Sequence, residues 1–258
     1  MITIAIANQK GGVGKTTTAI NIATAMAATG WKTLLIDLDP QGNASTGLGI
    51  GAAERSESSY DLLVDQIPLA ECTVATAIPG LDLVPATVDL SGAEVELVAV
   101  EDRTERLRQA LAGHRDHAIC FIDCPPSLGL LTLNAMTAAD TLLVPLQCEF
   151  FALEGLSQLL QTVERVQQRF NPQLGIIGVA LTMFDRRNRL TDQVADDVRD
   201  CLGNLVFEAV IPRNVRLSEA PSHGLPALVY DHSCPGSRAY IALARELIGR
   251  LPEQRKAA

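Results

Sequence analysis

The sequence lacks the features that mark several common classes of protein. Its six cysteines include no Cys-x-x-Cys pair, so their spacing indicates neither a zinc site nor a redox motif, and we expect reduced, mostly buried thiols. No uninterrupted apolar run reaches the roughly 18–20 residues of a membrane-spanning helix. The chain opens with strand-like residues rather than with a signal peptide. These absences predict a cytoplasmic protein with no integral membrane segment.

Linkers, repeats and positive charge are also scarce. Glycine and proline are scattered, no low-complexity segment separates two apolar blocks, and no repeat has a fixed period. A chain of 258 residues, 47% of them hydrophobic, suits one α/β domain, so we expect a single domain over residues 1–258. The formal net charge is −9, which opposes indiscriminate binding to DNA because affinity for phosphates depends on locally dense cations.

What the chain does contain is a glycine-rich loop with two lysines, KGGVGKTT at residues 10–17. It follows an apolar, β-branched run at residues 1–7 and precedes a helix-compatible segment at 16–29. A strand, such a loop and a helix form the context of a P-loop, whose backbone N–H groups surround phosphate oxygens. The usual pattern, G-x-x-x-x-G-K-[ST], has a glycine where this chain has Gln9, and Lys10 follows as an additional lysine.

The P-loop pattern assigns a role to each side chain. Lys15 is expected to reach the β- and γ-phosphates, and Thr16 to place its hydroxyl on Mg²⁺. Thr17 lies in the first helical turn and offers another donor. The candidate nucleotide-binding residues of the loop are Gly11, Gly12, Val13, Gly14, Lys15, Thr16 and Thr17.

Three aspartates come at the ends of predicted strands. Asp37 and Asp39 follow the apolar run at 32–36, and Asp123 ends another at 118–122. Ligands of an open parallel sheet bind at the carboxyl ends of its strands. Asp123 has the position of a Walker B aspartate, which holds Mg²⁺ directly or through water. Alternate residues of a strand point to opposite faces, so the pattern alone leaves the roles of Asp37 and Asp39 interchangeable.

Strand-like and helix-like segments alternate along the rest of the chain. Apolar β-rich runs recur at 140–146, 175–182 and 205–211, and amphipathic stretches at 154–170 and 190–202 separate them. This alternation predicts an α/β fold of the P-loop NTPase type: a doubly wound, mostly parallel sheet with helices on both faces. His114 and His117 have a suggestive spacing, but in their charged segment a solvated connection is favoured over a metal site.

These motifs together resemble the ParA/Soj group of deviant-Walker ATPases, the bacterial chromosome and plasmid partitioning proteins, to which MinD is related. The resemblance covers nearly the whole length. It rests on residues 10–17, 37–43 (DLDPQGN), 121–127 (FIDCPPS), 142–151 (LLVPLQCEFF) and 211–220 (IPRNVRLSEA).

The resemblance implies a slow ATPase that dimerises around ATP. The equivalent of Lys10 reaches across an ATP-sandwich homodimer to the partner's phosphates, where cations offset the repulsion between two nucleotides. The likeness assigns Asp39 to positioning the attacking water and places Asp37 and Asp123, with Thr16, near the metal. Lys10, Lys15 and Asp39 are therefore the candidate catalytic residues. No Gln or Arg finger is evident in cis, and phosphoryl transfer without one is typically slow.

The resemblance also implies the remaining ligands and partners. Met183, Pro212, Arg213 and Asn214 would enclose the adenine, with a plain loop as the alternative. The segment at 86–92 is similar to a family motif near the dimer face. A ParB-type protein would accelerate hydrolysis, and the ATP dimer would coat the nucleoid within the cytoplasm.

Non-specific DNA is the expected surface for that dimer. Residues 205–258 carry seven Lys/Arg against five Asp/Glu, so positive charge is concentrated near the end of the chain. Two weak patches brought onto one face would bind bivalently, and hence only in the ATP state. Arg187, Arg189 and Arg216 are the leading candidates, and a locally paired or solvated side chain is the alternative for each.

Other functions use the same motifs. A MinD-like membrane cycle would need an exposed amphipathic helix, and residues 240–251 carry an apolar stripe with nearby Arg255 and Lys256. Pro252 stops that stripe and no Trp or Phe anchors it, so core packing is favoured. A ParA-like ATPase that positions another cargo, a nucleotide-dependent scaffold and an iron–sulfur redox ATPase are further alternatives. The last is disfavoured because Cys120 and Cys124 flank a strand end instead of lying in exposed loops.

Overall fold

The computed structural model describes residues 1–185 and 187–251, and in these ranges one seven-stranded sheet carries helices on both faces. The strands follow the order β3-β4-β2-β5-β1-β6-β7, and each neighbouring pair is parallel except β3 and β4. This confirms the predicted fold class. The strands are β1 (Ile2–Ile6), β2 (Thr33–Asp37), β3 (Val74–Ala75), β4 (Leu81–Val84), β5 (Ile119–Asp123), β6 (Thr141–Gln147) and β7 (Gly175–Thr182).

The helices join these strands as crossovers. Those predicted at 154–170 and 190–202 correspond to α8 and α9. The set within the described ranges is α1 (Lys15–Ala28), α2 (Asn43–Gly47), α3 (Ser59–Leu63), α4 (Leu69–Cys72), α5 (Leu90–Glu96), α6 (Arg106–Leu111), α7 (Leu130–Ala138), α8 (Ala152–Arg169), α9 (Arg189–Leu202), α10 (Val215–Glu219), α11 (Ala227–Tyr230) and α12 (Pro235–Arg250).

The sheet separates two hydrophobic cores. In β1, Ile4 and Ile6 pack into the core that includes α1 and α12, whereas Ala5 packs into the core that includes α7 and α8. Both faces of the sheet are covered, so the central strands are apolar throughout instead of alternating with polar residues. This explains why they were readable as continuous hydrophobic runs.

The strand predicted at 205–211 was wrong. This segment makes only isolated parallel bridges, Val179 to Val206 and Phe184 to Pro212. The Glu246 carboxylate on α12 accepts the backbone N–H groups of Glu208 and Ala209 at 2.9 and 2.7 Å. Phe207 N and Ile211 N still donate to Val179 O and Leu181 O of β7 at 2.9 and 2.8 Å. Between them the Glu246 side chain accepts two backbone donors, so the pairing with β7 is interrupted and no continuous strand forms.

The solvated connection predicted around the two histidines was wrong only for His117: residues 112–118 do connect α6 to β5 and His114 is partly exposed. His117 is buried at 5% exposure. Its Nδ1 lies 2.7 Å from His114 Nε2, and its Nε2 lies 2.8 Å from Asp82 Oδ2 on β4. The pair is therefore part of a hydrogen-bonded chain that ties the start of β5 to β4.

Cysteines and helix lengths agree with the sequence. All six cysteines are free thiols, and five are buried. Within residues 1–185 and 187–251, no helix combines the length and the apolar character needed to cross a bilayer. Pro252, Arg255 and Lys256, which entered the membrane alternative, lie outside the described residues.

Candidate active site

The site lies at the end of β1. At this point of the sheet, the connections that leave neighbouring strands run to opposite faces. Gly12 and Gly14 have φ of +75° and +87°, a left-handed conformation that a side chain would disfavour. The buried Asn8 fixes the base of the loop: its Nδ2 donates to Pro145 O at 2.7 Å, and its Oδ1 accepts Lys10 N at 3.0 Å. Sequence reasoning missed Asn8 because its partner lies 137 residues away.

Lys15 is directed into the loop. It is buried at 7% exposure, and its Nζ donates to Lys10 O at 3.0 Å. Burial lowers the pKa of Lys15, while the nearby acidic groups, Asp123 foremost, oppose that shift. A buried ammonium within a ring of backbone N–H groups forms a binding site for an anion.

Two adjoining cavities flank this loop. The phosphate-side cavity has a volume of about 370 Å³ and contains Asp39, Gln41 and Pro126 in its wall. The base-side cavity has a volume of about 450 Å³ and is walled partly by Ile20, Leu217 and Tyr240. Residues shared by both walls are Gly14, Thr16, Thr17, Asn43 and Met183.

Most of the predicted nucleotide-binding residues lie on these walls. Gly11, Gly12 and Lys15 line the phosphate-side cavity with the shared residues, and Pro212, Arg213 and Asn214 line the base-side cavity. Val13 does not: it is buried, and its carbonyl accepts Thr182 Oγ1 at 2.7 Å. Its contribution is to anchor the loop to β7. Sequence reasoning did not identify Ile20 of α1, Thr46 of α2 or Tyr240 of α12 as wall residues. It assigned the apolar stripe that contains Tyr240 to core packing.

Asp37 and Asp39 occupy different environments. Asp37 is fully buried, and its Oδ2 accepts Ser45 N and Oγ at 2.9 and 2.7 Å. Burial raises the pKa of Asp37 to about 6, against the effect of the Ser45 hydrogen bonds. Ser45 Oγ in turn accepts Ala86 N at 3.0 Å. Asp37 thus joins the 39–45 loop to the turn after β4, whereas Asp39 lines the phosphate-side cavity.

Asp123 lies beside Asp37 in register across β5 and β2. Neither of its carboxylate oxygens, both buried, has a hydrogen-bond partner among the described residues. Burial raises the pKa of Asp123 well above its usual range and Asp37 raises it further, while Thr16 lowers it. An unpartnered buried carboxylate near a threonine hydroxyl fits a hard cation such as Mg²⁺. Among the described residues, no three His, Cys, Asp or Glu side chains are grouped so that they could hold a metal ion by themselves.

Lys10 is set apart from this arrangement. Its side chain is not on the wall of either cavity, and its ammonium pairs with Glu149, just beyond the end of β6. The backbone of Lys10 bonds to Asn8 and Lys15, so the loop is held while the side chain extends outward.

The candidate DNA-binding arginines are all exposed. Arg187 forms a fork with Asp185, with Nε to Oδ1 at 2.9 Å and Nη2 to Oδ2 at 2.8 Å. Arg216 pairs with Glu219 at 2.8 Å. Arg189, at the start of α9, has no ion pair within the described part of the chain. The locally paired alternative therefore describes two of the three arginines in this structure.

Sequence comparison identifies close relatives. Residues 1–176 match the model of a family described as an AAA domain. The chromosome partitioning protein ParA of Caulobacter vibrioides is 60% identical over 250 residues, which cover 96% of this chain and 94% of that protein. The chromosome-partitioning ATPase Soj of Treponema pallidum is 51% identical over 249 residues, covering 96% and 97%.

Solved structures share the fold over almost the whole chain. Cobyrinic acid a,c-diamide synthase from Mycobacterium smegmatis, with bound ATP analog and magnesium, gives a TM-score of 0.85 at 38% identity and covers 99% of this chain and 98% of its own. The septum site-determining protein MinD from Pyrococcus horikoshii, complexed with Mg-ADP, gives 0.79 at 25% identity, with 95% of each chain covered.

Proposed function

We propose that this chain, which belongs to the ParA/Soj family of chromosome-partitioning proteins, is a slow ATPase that dimerises around ATP and then binds DNA. The observation that carries the proposal is the difference in position between the two lysines of the loop. Lys15 is buried in the loop, whereas Lys10 extends away from both cavities. Because the Lys10 side chain lies outside both cavities of its own chain, in this proposal it serves the nucleotide of a second subunit.

The two cavities suit the two ends of ATP. In this proposal Met183, Pro212, Arg213 and Asn214 enclose the base, and the backbone of residues 11–14 surrounds the phosphates with Lys15 and Thr17. Thr16 and Asp123 would hold Mg²⁺, whose charge offsets that of the phosphate oxygens. Asp37 would stabilise this site indirectly, because its hydrogen bonds with Ser45 hold residues 39–45 in place.

Asp39 is our candidate for orienting the attacking water. It lines the phosphate-side cavity, and its Oδ1 accepts Gln41 N at 2.9 Å, which leaves Oδ2 available to a water. The wall of this cavity includes no arginine among the described residues, so negative charge that develops in the transition state lacks one common source of stabilisation. We therefore propose slow hydrolysis that a ParB-type partner accelerates.

The dimer would form at the carboxyl edge of the sheet. Large apolar side chains that follow strands at this edge are exposed, namely Val88 at 75%, Phe150 at 75% and Phe151 at 62%. Burial of such side chains stabilises association. The ATP dimer would then present Arg187, Arg189 and Arg216 twice to non-specific DNA, which makes the protein nucleoid-associated in the cytoplasm.

Co-sedimentation tests this cycle. The protein is mixed with non-specific DNA, and in parallel with anionic liposomes, in ATP, in ADP, and as Asp39→Ala in ATP. We expect DNA binding only with ATP, prolonged by Asp39→Ala because the dimer no longer hydrolyses its nucleotide. ATP-dependent liposome binding without DNA binding would contradict the proposal and favour the MinD-like alternative.

A further inference from the structure

The ion pair between Lys10 and Glu149 joins two residues that lie 139 positions apart in the sequence. Lys10 belongs to the loop after β1, and Glu149 follows the neighbouring strand β6. Both side chains are partly exposed, at 44% and 34%. The ion pair therefore forms within one chain, on the surface that the proposed second subunit would contact.

The backbone on either side of this pair is held in place. Lys10 N donates to Asn8 Oδ1 at 3.0 Å, and Lys10 O accepts Lys15 Nζ at 3.0 Å. Asn8 is itself tied to Pro145 O on β6 at 2.7 Å. With loop and strand connected in this way, the Lys10 side chain can change partners by rotation of its own bonds, without movement of the backbone.

We propose that Glu149 is a positioning residue that holds Lys10 within its own chain and so opposes dimerisation until ATP is bound. This inference rests on the proposed function, in which Lys10 serves the nucleotide of the other subunit. To reach that nucleotide the ammonium must leave the Glu149 carboxylate. A triphosphate carries more negative charge than a carboxylate and competes well for the ammonium, whereas a diphosphate competes less well.

The turn that carries Glu149 also carries apolar surface. Phe150 and Phe151 follow directly, with their rings edge to face at 5.0 Å between centroids, and both are largely exposed. When the dimer forms, the ion pair between Lys10 and Glu149 would break, and these two rings would become buried at the same place. Release of Lys10 and formation of the interface are consequently linked through one short segment.

The size of the effect follows from the exposure of the pair. An exposed ion pair changes an equilibrium by about 1.4- to 5-fold. Each subunit must break its own pair, so the two factors multiply, and loss of Glu149 should tighten the dimer by about 2- to 30-fold. The affinity of a single chain for ATP should stay unchanged because neither Lys10 nor Glu149 lies on a cavity wall.

The test compares Glu149→Gln with the unaltered protein in a non-hydrolysable ATP analogue. Analytical ultracentrifugation gives the dimer dissociation constant, and a fluorescent ATP analogue gives the affinity of the monomer. We expect a dimer tighter by about 2- to 30-fold. The matched control is Glu154→Gln, an exposed glutamate in the first turn of α8, which makes the same change in charge and should leave the dimer unchanged.

A double variant separates the pair from simple charge repulsion. In a Lys10→Ala background, measured at protein concentrations high enough to populate its weaker dimer, Glu149→Gln should leave the dimer dissociation constant unchanged. A tighter dimer in that background, or an unchanged or weaker one with Glu149→Gln alone, would overturn the role of Glu149 while the ATP dimer itself stands. If neither the unaltered protein nor Glu149→Gln dimerises although both bind ATP, the proposed function fails as well.

Discussion

The three strand-end aspartates differ in what their oxygens contact. Asp37 has Ser45 as a donor partner, Asp39 faces a cavity, and the Asp123 oxygens have no hydrogen-bond partner among the described residues. These environments favour structural support, water orientation and cation binding in turn. The sequence placed all three at one edge of the sheet, but only their contacts distinguish one from another.

At the same scale, the histidine chain should make stability depend on pH. Burial lowers the pKa of His114 below its ordinary 6.5, and His117 lowers it further, while Asp116 opposes. A lowered pKa means that the unfolded chain binds the proton more readily, so stability is complete above about pH 6.5 and is lost as pH falls below it.

His114→Gln tests this prediction. Gln can still bond to His117 but does not titrate, so we expect it to lose less thermal stability between pH 7.5 and 5.5. We expect a difference of about 1 kcal/mol, the free energy of one hydrogen bond. This corresponds to a change of about 2–4 °C in the melting temperature of a chain of this size. Melting curves at both pH values measure the difference. His223→Gln is the control, and an equal pH dependence in His114→Gln and the unaltered protein would contradict the prediction.

At the scale of the element, α12 completes the structure in two ways. Its Arg250 side chain donates to the backbone oxygens of Ile177 and Val206 at 2.8 and 3.1 Å, and Glu246 occupies the N–H groups at 208 and 209. Its apolar stripe, meanwhile, packs on α1, where Tyr240 Oη lies 3.1 Å from Thr18 Oγ1. The buried side chains of α12, including Tyr240, Leu243 and Leu247, therefore belong to the core, whereas Ile241 is 40% exposed.

Changes in α12 should therefore destabilise the fold. Leu247 is fully buried, and Leu247→Ala should lower the free energy of unfolding by about 2–5 kcal/mol because it leaves a cavity. The exposed Arg245 on the same helix is the control, and Arg245→Ala should have little effect. Chemical denaturation measures both.

Truncation after Gly236 should unfold the protein, and a folded truncated chain that merely loses liposome binding would refute the core assignment.

At the scale of the whole molecule, an acidic protein must bind DNA through a local surface. The net charge is −9, and Arg216 lies near two acids, with Glu219 at 2.8 Å and Asp231 at 3.7 Å. DNA affinity should thus be weak in one subunit and fall steeply with salt. In the proposed dimer, two copies of the patch would make the binding bivalent.

Charge reversal of Arg216 tests that surface. Arg216→Glu changes the charge of the dimer by about four units and places three acids together, so we expect at least about a tenfold loss of DNA affinity. Dimerisation in ATP should be unaffected. The control is Arg165→Glu, which makes the same charge change on α8. This helix packs in the core on the opposite face of the sheet from the helix of Arg216, so the variant should retain DNA binding. Fluorescence anisotropy with a DNA duplex measures both variants, and equal affinities would remove Arg216 from the interface.

Features that depend on neighbouring residues could be predicted from the sequence. The glycines after residue 10, the lysine and threonines that follow, and the apolar runs that end in aspartate specify a P-loop, a helix and strand ends, because backbone conformation and periodicity are local properties. Strands buried on both faces stand out as continuous apolar runs, so the doubly wound sheet was predictable from the order of its elements.

Contacts between residues far apart in the chain could be found only in the folded structure. Residues 205–211 have the composition of a strand, but Glu246 accepts two of their backbone N–H groups. His117 lies in a charged segment, but its ring nitrogens bond to Asp82 and His114. Lys10 follows a loop pattern, but its ammonium pairs with Glu149. Each outcome depends on a contact between groups far apart in the chain. Hydrogen bonds and ion pairs of that kind leave no periodic signal, because a single residue at one end is sufficient to form them.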